Sequence, residues 1–172
     1  MPTLTRLTAE TFAAAVPDLA DLLVDAVADG ASLGFLAPVD QESAAAWWHD
    51  QAARIDQGSL LVWVARGPQR ISGTVGLVLE SKPNGRHRAE IIKLMVHSGS
   101  RGQGLSRRLL AIAETAARSA GRSLLMLDTE TDSTAEYVYR TGGWVRYGVV
   151  PGYAMDPAGT PKACSFFYKE LQ

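Results

Sequence analysis

AEIIKLMVHSGSRGQGLSRRLLAIAETAARSA, residues 89–120, is the stretch whose reading decides the fold. Its first part, EIIKLMV (90–96), is an apolar run of strand length. Its last part sets Leu105, Leu109, Ile112, Ala113 and Ala116 on one stripe, with Arg107, Arg108, Glu114 and Arg118 opposite. That is the period of an amphipathic helix, and Gly121 ends it. A glycine-rich turn, HSGSRGQGLS (97–106), joins the two. SLLMLD (123–128) reads as the returning strand, and its lack of polar alternation predicts burial on both faces. A strand, a crossover helix and a second strand make 90–96 and 123–128 parallel and the connection right-handed.

Outward from this unit, LLVWVA (60–65) and GTVGLVLE (73–80) read as strands. Gly, Pro and Asn turns at 67–70 and 82–86 make the middle of the chain antiparallel hairpins. Thr3 to Leu7 alternates as a first strand. Pro17 is expected to open a helix carrying Leu19, Leu22, Leu23, Ala26 and Val27 and stopping at Gly30. Asp40 caps a second helix, Gln41 to Gln57, before Gly58. Downstream, Asp132 is expected to cap a short helix (133–141) that Gly142–Gly143 break. VRYGVV (145–150) and ACSFFYK (163–169) then close the sheet. The expected fold is a three-layer α/β/α domain around a mixed central sheet with one parallel pair.

The 172 residues suit one domain spanning 1–172, large enough to form a core without disulfide or metal. Hydrophobic residues make up 47% and charged residues 20%, a globular composition. Seventeen basic and eighteen acidic side chains leave a net charge of −1, which argues against general nucleic-acid binding. Cys164 is the lone cysteine, so neither an internal disulfide nor a Cys-rich zinc site can form. His49, His87 and His97 lack metal-ligand spacing, and no metal is expected. No apolar run reaches the length of a membrane span, and the N-terminus lacks a secretory pattern. A cytoplasmic protein without membrane association is the expectation.

Arg101-Gly102-Gln103-Gly104-Leu105-Ser106 stands where a strand gives way to a helix. The first N–H groups of a helix lack internal partners, and the helix dipole adds partial positive charge there. Glycines let an anion approach the main chain, and Arg101 adds a fixed charge. This chemistry suits a pyrophosphate. The Gly-Lys-Ser/Thr ending of a P-loop and the three-glycine dinucleotide fingerprint are both missing. A plain tight turn is the competing reading.

Arg101-x-x-Gly104-x-Ser106 after AEIIKLMV resembles the acetyl-CoA-binding motif of the GCN5-related N-acetyltransferase (GNAT) family. Ala135-x-x-x-Tyr139-x-x-x-Gly143-Trp144 is similar to that family's helix-to-strand segment ending in Gly and an aromatic. The resemblance extends over essentially the whole chain. Ser106 stands where Gly or Ala is usual, Ser98 replaces a frequent Pro, and Asp132 replaces a frequent Asn. AEIIKLMV, RGQGLSRRLL, LLMLDTE and PGYAMDPAGT…FFYKEL look, more narrowly, like the tabtoxin-resistance type of acetyltransferase.

The resemblance implies an N-acetyltransferase using acetyl-CoA as co-substrate, with a small-molecule primary amine as acceptor, such as an antibiotic or toxin being detoxified. A peptide or protein acceptor and a non-catalytic acyl-CoA sensor are the rival readings. Either a monomer or a homodimer accommodates the expectation. An amine of pKa about 10.4 arrives as ammonium and must lose a proton before attacking a thioester. The reaction therefore calls for a base, an oxyanion donor and a weak acid. Glu90 and Asp128 are the candidate carboxylates: the resemblance to histone-type members makes Glu90 the base, and Asp128, at the C-terminal end of its strand, is base or binder of the amine. Their competing readings are a solvated strand end and a loop partner. The resemblance makes Tyr139 the acid for the leaving thiolate; core packing is the alternative. It places Leu94, Met95 and Val96 along the pantetheine, with Gly102 to Ser106 and Arg107 around the phosphates. For Arg107 and Arg108 a solvated helix face is the commoner reading of such arginines. Ser32, Phe35 and Tyr153 fall in presumed loops over the acceptor end and are candidate substrate contacts. Trp47-Trp48 reads as core.

Overall fold

The structure is a computed structural model that describes residues 2–172. β1 (Thr3–Arg6) leads into α1 (Ala9–Ala28), α2 (Gln41–His49) and α3 (Ala52–Asp56). β2 (Leu60–Arg66), β3 (Ile71–Leu79) and β4 (Arg88–Val96) follow, then α4 (Leu105–Ser119), β5 (Leu124–Glu130), α5 (Thr134–Thr141), β6 (Val145–Met155) and β7 (Pro161–Glu170). The strands form one seven-stranded sheet in the order β1-β2-β3-β4-β5-β7-β6. Every pair is antiparallel except β4 with β5. The mixed sheet with its single parallel pair and the α/β/α layering agree with the sequence reading. One face carries a core of Phe12, Leu19, Leu23 and Trp48 packed on Val62 and Val64. The other packs Leu105, Leu109 and Ala113 of α4, with Tyr139 of α5, on Val75, Leu125 and Phe167.

Helix α1 begins at Ala9, well before Pro17, which lies inside it. Thr8 and Thr11 form a reciprocal cap with each other's backbone, and this anchors the true N-terminus. The missing N–H of Pro17 costs one internal bond, but Phe12, Ala15, Val16, Leu19 and Ala20 around it are all buried. The expected helix over 41–57 divides at Asp50–Gln51 into α2 and α3. Asp132 does not cap α5. Ser133 accepts from the Glu136 N–H, while Asp132 takes a left-handed φ of 62° and donates its N–H to Glu136 Oε2. Tyr153 lies within β6, which runs on to Met155, and not in a loop.

β5 is not buried on both faces. Leu125 and Leu127 are buried, whereas Leu124 and Met126 are half-buried and Asp128 is exposed. The reason lies in its pairing with β4, described below. The crossover helix is set close to the sheet at Gly73. A Cβ there would meet Met95 O at 2.9 Å and Leu109 Cδ1 at 3.1 Å. Gly73→Ala should therefore force α4 outward and lower stability by about 1–3 kcal/mol. Urea unfolding with an unchanged m-value would report that loss.

Candidate active site

β4 and β5 pair only at Arg88↔Leu124, Ala89↔Leu125 and Glu90↔Met126, although β4 continues to Val96 and β5 to Glu130. The strands part because β4 bulges. Its register against β3 shifts between Thr74 and Gly76, and Lys93 sits at a φ of 49°. Beyond Glu90, the edge of β4 that faces β5 has no ladder from that strand. Main-chain groups of Leu94, Met95 and Val96 thus border a slot between diverging strands. An extended amide-bearing chain could pair there as an added strand does.

The slot leads from β4 to the glycine-rich turn. Gly102 (φ 74°) and Gly104 (φ 72°) are left-handed, and a Cβ on either would meet nothing within 4 Å. Gly104 is the N-cap of α4 and offers no capping side chain. Among the described residues, the N–H groups from Gly102 through Arg107 donate to no protein acceptor. This is an open anion cradle at the N-terminus of a well-formed helix. Arg101 does not supply the expected free charge: its guanidinium pairs with Asp29 and its Nε donates to Val96 O at 3.3 Å. Ser98 donates through its N–H and its hydroxyl to Asp25, at 2.8 and 2.7 Å. Those two bonds, with His97 and Arg101 nearby, hold the Asp25 carboxyl below its usual range against the opposing effect of burial. Both residues fasten the turn to α1. Arg107 donates to Thr141 Oγ1 at the end of α5, and Arg108 to Pro2 O, both at 3.2 Å.

On the sheet face that carries α1–α3 lies a pocket of about 510 Å³. It joins Glu90 and Asp128 with Arg54, Arg88, Glu80 and Tyr147, and with Tyr153 and Phe166. Two of the expected catalytic residues and one expected substrate contact therefore meet. Glu90 can be reached by water through the pocket mouth, yet protein crowds it on the inner side. Burial raises its pKa, the Asp128 charge raises it further, and Arg54 partly offsets both. Asp128 faces Cys164, whose Sγ lies 3.3 Å from Asp128 Oδ2 and 3.1 Å from Thr129 O. The single thiol proton serves one acceptor at a time. Burial and the Asp128 carboxylate push this thiol up to about 12, so it remains protonated beneath the site.

Tyr139 sits on the opposite face of the sheet, buried against Trp144 and Phe167 at ring separations of 5.8 and 6.1 Å. Its hydroxyl has no hydrogen-bond partner among the described residues. Burial, then the charge of Asp128, raises its pKa strongly. The gap between β4 and β5 lies between this phenol and the carboxylate pocket. Ser32 and Phe35 do not line the pocket. Phe35 packs edge-on against Trp47, and the Lys93 ammonium lies 4.6 Å from the Trp47 ring centroid and 2.7 Å from Leu33 O. Trp48 is core, as expected, whereas Trp47 is half-buried under that cation.

Arg54, Lys93, Tyr147 and Phe166 were not singled out in the sequence. Lys93 left a signal, a lone cation inside an apolar strand. Burial lowers its pKa, with Asp128 acting against that shift. Arg54 left none, since a helical arginine is ordinarily solvated.

The sequence profile of the acetyltransferase (GNAT) family matches residues 24–142, more than half of the chain. N-acetyltransferase 8B of Rattus norvegicus is 36% identical over 77 residues, 44% of this chain and 34% of that protein. A Mus musculus relative, probable N-acetyltransferase family 8 member 5, is 34% identical over 50% of this chain and 39% of its own length. The chain thus spans well under half the length of these curated relatives. Two solved structures share the fold at a TM-score of 0.75. One is yncA of Salmonella typhimurium with its cofactor acetyl-CoA, 19% identical and covering 100% of this chain and 95% of that one. The other is the ribosomal-protein-alanine N-acetyltransferase of Brucella melitensis, 22% identical over 98% and 99% of the two chains. This chain belongs to the acetyltransferase (GNAT) family. Among the described residues no helix is long and apolar enough to cross a membrane, and no cluster of His, Cys, Asp and Glu could hold a metal ion.

Proposed function

We propose that this protein moves the acetyl group of acetyl-CoA to the primary amine of a small molecule by direct attack on the thioester. The observation that carries the reading is the carboxylate pocket opening beside the unpaired edge of β4. The open N–H groups of Gly102 to Arg107 receive the pyrophosphate, and the edge at Leu94, Met95 and Val96 receives the pantetheine amides. Acetyl-CoA supplies an acetyl carbon activated by a thiolate leaving group. Glu90 takes a proton from the bound ammonium, directly or through water. Asp128 holds the amine beside it. A main-chain N–H at the β4 bulge stabilises the oxyanion as the C–N bond forms. Tyr139 offers its hydroxyl to the sulfur as the C–S bond breaks. The amine gives up two protons in all, one before attack and one from the new amide nitrogen, and the thiolate takes up one.

The pocket volume and its aromatic wall of Tyr147, Tyr153 and Phe166 suit a compact acceptor better than an extended peptide. The narrower likeness to tabtoxin-resistance enzymes suits the same kind of acceptor, and detoxification of an amine-bearing compound is the role it suggests. A library of small amines and lysine peptides, read as free thiol released from acetyl-CoA, tests this. Turnover confined to peptides would transfer the reading to protein acetylation. Acetyl-CoA binding without turnover of any acceptor would make the protein a sensor.

The cradle has its own test. Gly104→Val would place a branched side chain in the open space above the turn and strain a left-handed position. The acetyl-CoA dissociation constant should rise at least about tenfold, roughly 1.4 kcal/mol. Calorimetric titration of the folded variant measures it, and unchanged affinity would leave the turn without a ligand.

A further inference from the structure

The pocket holds more charge than proton abstraction needs. Of its two arginines, Arg88 is paired with Glu80 at 3.5 Å. Arg54 has no carboxylate partner among the described residues. Its Nη1 donates to Gln51 Oε1 at 3.0 Å, which fixes the guanidinium. Nε and Nη2 donate to no protein group among the described residues. Arg54 is half-buried, and its charge reaches Glu90. Glu90 also feels Asp128. The pocket therefore presents a carboxylate pair and a held, unengaged guanidinium to the same ligand. A guanidinium with free N–H groups is built to take a carboxylate in a fork. Tyr153 and Phe166, with ring centroids 5.1 Å apart, form an apolar wall beside these charges.

We infer that the acceptor is an amino carboxylate, a molecule carrying a carboxylate together with the amine that is acetylated. Its ammonium faces Glu90 and Asp128, its carboxylate is taken by Arg54, and an apolar side chain lies against Tyr153 and Phe166. Such a ligand meets the carboxylates and the guanidinium together, whereas a simple amine leaves half-buried Arg54 without a charged partner. The inference rests on the acetyl-transfer reading for its chemistry and on Arg54 for its specificity. The transfer itself is unchanged: a C–N bond forms, the thioester C–S bond breaks, and the thiol leaves with a proton.

The test uses a panel of common L-amino acids and their matched carboxamides. Acetylation with acetyl-CoA is measured at saturating pH, and equilibrium binding to the CoA-loaded enzyme by calorimetry. The best amino acid should exceed its amide by at least about tenfold in kcat/KM, the size of one charge-assisted interaction. R54Q should collapse that ratio through the KM of the amino acid, and R54K should keep part of it. Equal use of acid and amide by the wild type, or an undiminished ratio in R54Q, would overturn the inference and leave acetyl transfer standing. A binding preference that Arg54 controls, with no turnover of these or any other amines, would leave Arg54 a carboxylate site but overturn the acceptor assignment together with the transferase reading. No binding and no turnover across the panel would overturn the inference, and turnover of another amine from the wider library would leave acetyl transfer standing.

Discussion

Glu90→Gln should abolish the low-pH limb of kcat/KM and lower activity near neutral pH by about 10²–10³-fold, the range expected for loss of a general base. The sign follows from the site. The base acts only when deprotonated, so the rate rises with pH through its pKa. Burial and Asp128 raise that pKa, so the wild-type limb should sit above the ordinary carboxylate range. Asp128→Asn removes the Asp128 charge, leaves burial and the weaker effect of Glu80, and keeps Glu90. The limb should survive, move to lower pH, and be accompanied by a higher KM for the amine. Arg54 acts on Glu90 in the other direction, so R54Q should move the limb to higher pH. Profiles of all three variants over pH 5 to about 10, with one good acceptor, give the ordering. Loss of the limb in Asp128→Asn with its survival in Glu90→Gln would exchange the two roles. Survival in both would mean that neutral amine enters from solution and that the carboxylates only position it.

Tyr139→Phe should cost about 10²-fold in kcat with acetyl-CoA affinity nearly unchanged. The ring packing against Trp144 and Phe167 is retained in phenylalanine, so stability should hold. A phenol whose pKa burial has raised looks like a poor acid for a thiolate of pKa about 8.5 in water. The comparison changes inside the protein. A thiolate forming in the same desolvated gap is penalised by burial as the phenolate is, so the two pKa values rise together. The phenol then contributes mainly by hydrogen bonding to sulfur as charge develops. A variant within threefold of wild type in single-turnover measurements would return Tyr139 to core packing.

The crossover unit at 89–120 was legible because it combines signals of different kind: a strand run, left-handed glycines and a 3.6-residue stripe. Helix ends were harder where capping residues compete. Pro17 is a helix-opening residue that tertiary burial holds inside α1, and Asp132 yields its cap to Ser133 one position later. The carboxylates Glu90 and Asp128 could be named because each terminates or begins an apolar run. Their convergence in one pocket depends on the parting of β4 and β5, which no local pattern announces. Arg101 matches the motif by residue type, but its charge is taken by Asp29 from a helix more than seventy positions away. Arg54 and Phe166 enter the pocket through long-range packing alone.

The three rungs that join β4 to β5 also divide the molecule mechanically. One body comprises β1–β4 with α1–α3 and α4, the other β5–β7 with α5. Beyond Glu90 no strand ladder joins them on the line between β4 and β5, and the core under α4 is what holds them together. A ligand threaded along that line and gripped at the turn would act as a spline between the two bodies. Occupancy would then stiffen the whole sheet, and a substrate-free molecule would breathe along the line where its chemistry is done.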